Sequence, residues 1–171
     1  MPEAEFAPER ILATLHEHGV RCVLMGGFAA VLYGSPFVTT DIDVVPADDL
    51  ANLDRLSDAL RALHARVWTA SEPDGRPFDH SPTSLGAVRI WNLVTDHGRL
   101  DITFEPSGTQ GYDDVARDAV HLVVLGAAVD VASLADVIRS KEAAGRDKDR
   151  LVLPTLRRIA EEQERGGRAL R

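Results

Sequence analysis

Arg21-Cys22-Val23-Leu24-Met25-Gly26-Gly27 and, after residues 28–40, Asp41-Ile42-Asp43-Val44-Val45 form the stretch that decides the fold. The apolar run Arg21–Met25 reads as a short buried strand. Gly26-Gly27 ends it and opens a small-residue helix, Phe28 to Tyr33, which Gly34-Ser35-Pro36 stops. Asp41–Val45 is a second strand, closed by Pro46. Residues i and i+2 of a strand share one face, roughly 6.5–7 Å apart at the backbone. Asp41 and Asp43 therefore project together, while Ile42 and Val44 turn the other way. Two like charges on one face repel and add nothing to stability. A divalent cation removes the conflict, because Mg²⁺ takes hard oxygen ligands from one or two carboxylates and from phosphates. The glycines point the same way: backbone N–H groups at a strand-to-helix turn are free for phosphate oxygens, and no Cβ blocks a ligand. Taken singly, the aspartates also fit a solvent-facing strand, and Gly-Gly an ordinary tight turn.

Outward from this stretch the pattern alternates. Pro8 opens a helix with Ile11, Leu12 and Leu15 on one stripe, and Gly19 closes it. Asp48–Leu63 is a second long helix, with Leu50, Leu53, Leu56, Leu60 and Leu63 at helical spacing. Arg66–Thr69 is a third strand. Ala70–Leu85, holding Pro73, Gly75, Pro77 and Pro82, is expected to be a long loop. Val88–Val94 and Leu100–Phe104, around Thr95–Gly98, read as a β-hairpin. That hairpin carries Asp101 between Leu100 and Ile102, a third carboxylate in apolar company. Val120–Val124 and Ala128–Val131 pair around Gly126. Ser133 with Asp136 caps a helix to about Ala144, and a last helix runs from about Asp149 to Glu164 before Gly166-Gly167 and the basic tail Arg165–Arg171. The order predicts an α/β (α+β) class, a mixed sheet covered by helices. With 171 residues the expectation is a single domain, 1–171, with a helical C-terminal part from about 133.

Composition excludes several classes. Hydrophobic residues at 44% with aromatics at 5% describe a globular domain with an aliphatic core. The net charge of −8 argues against broad, non-specific nucleic-acid or membrane-surface binding. Cys22 stands alone, so no internal disulfide framework and no Cys-rich zinc site exist. Met1–Arg10 lacks the basic and apolar pattern of a leader, and no apolar run approaches a membrane span, so a cytoplasmic protein without a membrane partner is expected. Cys22, Met25, Trp68 and Trp91 are read as core residues. His16 and His18 face apart on a helix; among the other histidines, His80 is singled out as a candidate substrate contact.

Lys141, Arg146, Lys148 and Asp149 make a late charged cluster. Lys141 follows Ile138 by one helical turn and so starts near the buried stripe of Leu134, Val137 and Ile138. A lysine there must snorkel to solvent or meet an anion. Asp149 is placed to orient Arg146 or Lys148, or to cap the last helix.

Gly26-Gly27, Tyr33-Gly34, Thr39-Thr40-Asp41-Ile42-Asp43, Leu100-Asp101-Ile102 and the late Lys141, Arg146, Lys148 and Asp149 together resemble the nucleotidyltransferase superfamily related to DNA polymerase beta. The layout is most similar to the small abortive-infection (AbiEii-like) toxin-type members. The resemblance implies a small nucleotidyltransferase fold with helices on one side of the sheet and the site open on the other. It implies an enzyme that moves an NMP from an NTP to a hydroxyl acceptor, which is a transfer-RNA end, a protein or a small molecule. Asp41, Asp43 and Asp101 would be the catalytic carboxylates and hold Mg²⁺ (or Mn²⁺), with Asp101 at a second metal or as the base. Gly26, Gly27 and the hydroxyl of Thr39 would cradle phosphates, and Lys141, Arg146 and Lys148 would meet the triphosphate. An antitoxin protein is the partner that such members imply. One departure stands out: Phe37 occupies the position where many relatives carry arginine. It leaves open a non-catalytic nucleotide-binding or interaction module with the same fold.

Overall fold

A computed structural model describes residues 5–169, so Met1–Ala4 of the acidic start and the last two residues of the basic tail lie outside the described residues. In chain order the elements are α1 (Pro8–Glu17), β1 (Cys22–Met25), α2 (Gly26–Leu32), β2 (Asp41–Pro46), α3 (Leu50–Ala62), β3 (Arg66–Thr69), β4 (Glu72–Arg76) and α4 (Pro82–Ala87). There follow β5 (Ile90–Thr95), β6 (Gly98–Thr103), α5 (Tyr112–Arg117), β7 (Val120–Val124), β8 (Ala127–Val131), α6 (Leu134–Ala144) and α7 (Asp147–Ala169).

All strands join one mixed sheet in the order β4-β3-β5-β6-β2-β1-β8-β7. At its centre β2 runs antiparallel to β1 and parallel to β6. The two-residue alternation of β2 and β6 sorts their side chains. Ile42, Val44, Leu100 and Ile102 are buried in the core, and Asp41, Asp43 and Asp101 occupy the alternate positions. Ile11, Leu12 and Leu15 of α1 and Leu53, Leu56 and Leu60 of α3 cover the apolar face. Asp49 caps α3 by accepting from the Asn52 N–H.

The carboxylate face is not bare. β1 passes directly into α2 at Gly26, beside Asp43, and α6 lies over the neighbouring strands. The open side expected from the resemblance is a pair of clefts bordered by α2 and α6.

Several local expectations need correction. Ala70–Leu85 is not one loop: it holds edge strand β4, paired with β3, and the start of α4. An edge strand tolerates Pro73, and Pro82 sits in the first turn of α4, where its missing N–H is harmless. Gly75 lies at φ +81°, and a Cβ there would come within 2.6 Å of Arg66. α5 was not foreseen, because six residues are too few to show a helical period. Leu50 is exposed at the start of α3. α7 begins earlier than expected, carries Pro154 inside it and continues through Gly166-Gly167. Met25 is core, but Trp68 and Trp91 are only half-buried. Among the described residues no helix is long and apolar enough to cross a membrane.

Candidate active site

Strand register assembles the acidic cluster. Met25 pairs with Asp43 across β1–β2, Asp43 with Asp101 across β2–β6, and Asp41 with Arg99. Parallel neighbours in register bring the three carboxylates of Asp41, Asp43 and Asp101 together, with one oxygen of each within 4.8 Å of the others. The two glycines make room for this. Gly26 lies at φ +67°, and a Cβ on it would sit 2.1 Å from the Asp43 carboxylate; one on Gly27 would sit 3.1 Å from Thr39 Oγ1. Any larger residue at Gly26 would have to push Asp43 out of line. Thr39 in turn donates its hydroxyl to Asp41 Oδ1 at 2.9 Å. The hydroxyl assigned to the nucleotide from the sequence is therefore engaged with Asp41 and aims that carboxylate.

Crowding sets the charge state. Burial, reinforced by the charges of Asp41 and Asp101, pushes Asp43 up to about 7, while Lys148 and Lys141 pull it back only in part. Burial also raises Asp101 to about 6, with Arg99 opposing and Asp41 adding to the rise. Three converging acids, with Asp43 and Asp101 raised, favour a bound cation. The donors are all hard carboxylate oxygens, which suits Mg²⁺ or Mn²⁺ and not a thiolate-loving metal.

The late cations form an elbow beside the cluster. Ser133 caps α6 by accepting from the Asp136 N–H, and Gly145 ends that helix in the left-handed region at φ +61°. Across the bend, Arg146 donates Nε to Asp149 Oδ2 at 2.7 Å and Nη2 to Asp149 Oδ1 at 3.2 Å. Lys141 Nζ stands 3.5 Å from Asp149 Oδ1, so the anion that this lysine meets within the protein is Asp149. The Asp149 side chain is fully buried. Burial raises its carboxyl, yet the Arg146 bond and charge and the Lys141 charge hold it below the usual range. Lys148 is exposed on the next turn.

Two cavities meet at the carboxylates. The first, about 410 Å³, lies between Gly27, Phe37, Val38, Thr39, Asp41 and Lys148. The second, about 360 Å³, extends over β5, β6 and the underside of α6. Gly26, Asp43, Asp101, Lys141 and Arg146 border both. The sequence-predicted residues Gly26, Gly27, Thr39, Asp41, Asp43, Asp101, Lys141, Arg146 and Lys148 are thus brought to one place. His80 is not: its Nδ1 lies 2.9 Å from Ser57 Oγ, on α3.

Sequence reading missed Arg99. It donates Nη2 to Asp101 Oδ1 at 3.2 Å, and its guanidinium carbon sits 3.8 Å from the centre of the Trp68 ring. Stacking of this kind holds a guanidinium in one plane. The signal in the sequence was period two, Arg99 and Asp101 on one face, but Trp68 joins them only through the pairing of β3 with β5 and β5 with β6.

No family model and no curated protein matches the chain. Solved structures do. The lincomycin-bound lincosamide antibiotic adenylyltransferase LnuA aligns with a TM-score of 0.59 at 14% identity, over 91% of this chain and 99% of that one. A Thermotoga maritima protein named as a candidate nucleotidyltransferase aligns with a TM-score of 0.53 at 18% identity, over 92% and 96%. The chain has the nucleotidyltransferase fold. Identities this low establish the fold alone.

Proposed function

We propose that the chain is a one-domain, metal-dependent nucleotidyltransferase that acts in the cytoplasm and moves an NMP from an NTP to a hydroxyl acceptor. The observation that carries this reading is the meeting of Asp41, Asp43 and Asp101 within 4.8 Å, beside a glycine turn and three cations. Asp41, Asp43 and Asp101 would hold Mg²⁺ or Mn²⁺, whose chemistry when bound is to neutralise charge on the triphosphate.

The chain's own residues account for the rest. Gly26 and Gly27 leave space for the phosphates against β2. Thr39 keeps Asp41 aimed. Asp101, set against Asp43 by the pairing of β2 with β6, would complete a second metal site or take the proton of the attacking hydroxyl. The hydroxyl oxygen forms a bond to the α-phosphorus as the bond from that phosphorus to the α–β bridging oxygen breaks. Pyrophosphate departs against Lys141, Arg146 and Lys148. The LnuA likeness supports adenylyl transfer to a small molecule as one form of this chemistry.

The test is incubation with each α-labelled NTP, Mg²⁺, and either total RNA, cell lysate or small hydroxylated compounds. Label transfer with release of pyrophosphate, lost in Asp43→Asn, is the expected result. Nucleotide binding without pyrophosphate release under every condition would instead establish a non-catalytic module, the reading that Phe37 leaves open. The toxin role, with an antitoxin partner, is the addition made by motif layout; growth arrest on induced expression, relieved by Asp43→Asn, tests it.

A further inference from the structure

We propose that the acceptor occupies the second cavity and is an uncharged, hydroxyl-bearing small molecule. This rests on the nucleotidyltransferase reading above. The two cavities share a rim at the carboxylates but differ in chemistry beyond it. The first carries Asp41 and Lys148, along with the glycine turn and Thr39, and so suits the triphosphate end of a nucleotide. In the second, every lining residue beyond the shared rim is uncharged. Asn92, Thr103 and Ser140 supply polar groups, and Val45 and Ile90 supply apolar ones.

Register places the polar groups around Asp101. Asn92 pairs with Asp101 across β5–β6, and Thr103 follows Asp101 on the same face of β6. An amide offers both a donor and an acceptor, so Asn92 can hold a hydroxyl from either side next to Asp101. Ile90 is 56% exposed at the outer rim, which gives an apolar part of the same molecule somewhere to rest.

Charge disfavours the other acceptor classes. A nucleic acid needs several cations along its backbone. The second cavity has only two cations, Lys141 and Arg146, on its rim, in a chain of net charge −8. A polycation needs acids beyond Asp43 and Asp101, and the cavity has none. A volume of about 360 Å³ falls within the range of small-molecule sites, roughly 300–1,000 Å³.

The experiment maps amide shifts on the full isotopically labelled chain. ATP with Mg²⁺ is added first, then a set of neutral methyl and octyl glycosides below their micelle concentrations, with kanamycin and transfer RNA as competing probes. ATP is expected to shift Gly26, Gly27, Val38 and Lys148. The glycosides are then expected to shift Asn92, Thr103 and Ser140, and to take label from α-labelled ATP. Ser140→Trp and Asn92→Trp, made separately, should each weaken glycoside shifts at least about tenfold and leave the ATP shifts in place. Shifts of Asn92, Thr103 and Ser140 by ATP alone would give this cavity to the nucleobase and overturn the proposal. So would label on transfer RNA or kanamycin, or ATP binding with no glycoside shift at these residues. Absence of any shift at Gly26 and Gly27 with ATP, CTP, GTP and UTP alike would overturn the nucleotidyltransferase reading itself.

Discussion

The α6–α7 elbow, where Asp149 is fully buried, and the β2–β6 surface, where Asp43 is half-buried, treat a carboxylate withdrawn from solvent in opposite ways. Asp149 receives the Arg146 fork and the Lys141 ammonium, and these hold its carboxyl below the usual range in spite of burial. Asp43 has acids for neighbours, Asp41 and Asp101, and is pushed up to about 7. Both sit within reach of the same Lys141. A fold selected for stability alone would pair both acids. On the reading proposed above, the one left with like-charged neighbours takes its counter-charge from outside the chain.

The strongest way to break this contrast is at the cluster. Asp43→Asn and Asp101→Asn should each lower label transfer by about a thousandfold or more, since they remove a group that acts on the reacting atoms. The fold, read by circular dichroism, should be retained. Activity near wild type in either variant would deny the cluster its role.

At the elbow the same change should act on stability. Asp149→Asn removes a buried anion from two cations and is expected to cost about 3 kcal/mol, or roughly 6–12 °C in Tm for a chain of this size. Because Arg146 is more than half exposed and recovers solvent, the lower end of that range is expected. An unchanged melt would mean that the elbow is held by its helix packing and not by the ion pairs.

pH sharpens the comparison, because the two acids have opposite signs. Folded Asp43 keeps its proton up to about pH 7, against an ordinary value of 3.8. Between those values the folded state binds more protons, so the metal-free protein loses stability as pH rises from about 4 to about 7. Asp43→Asn should therefore raise the metal-free Tm at pH 8 by several degrees and change it little at pH 4. Mg²⁺ or Mn²⁺ should raise the wild-type Tm at pH 8 and leave the variant nearly unmoved. Asp149 is held below 3.8, and its contribution should disappear as pH falls below that value. Thermal melts from pH 2 to 9 of both variants check the two signs.

The smallest expected effect concerns the support of Asp101. Arg99→Lys keeps the charge but loses the planar stack on Trp68, and should lower kcat about tenfold with KM for the NTP unchanged. Trp68→Phe should keep most of the activity, and Trp68→Leu should behave like Arg99→Lys. An equal loss in kcat and in Tm would make the Arg99–Trp68 stack a stability feature only.

Much of this was legible in the linear chain, and for identifiable reasons. A period of two told which side of β2 Asp41 and Asp43 share, since side chains alternate in any strand whatever it pairs with. Ser133 and Asp136 announced the start of α6 through a local cap. Local signals failed where short pieces depend on a neighbour. β4, with its proline and glycine, is a strand because β3 lies beside it. α5 is a helix of only six residues, packed on β1. Trp68, taken as core, faces Arg99 because β3 joins the sheet next to β5.

By itself, then, the sequence determined the residue types and their faces: paired aspartates on one strand, a third on a hairpin, a glycine turn, and late cations. Those follow from backbone periodicity and residue chemistry within a few positions. Only the tertiary structure decided that β6 lies parallel to β2 in the register that sets Asp101 against Asp43, and that Gly26 packs against that carboxylate. It also decided that Lys141 meets Asp149 across a bend and that uncharged residues from β5, β6 and α6 close a second cavity. Contacts between residues distant in the chain depend on strand order and loop closure, and no local pattern of side chains encodes those.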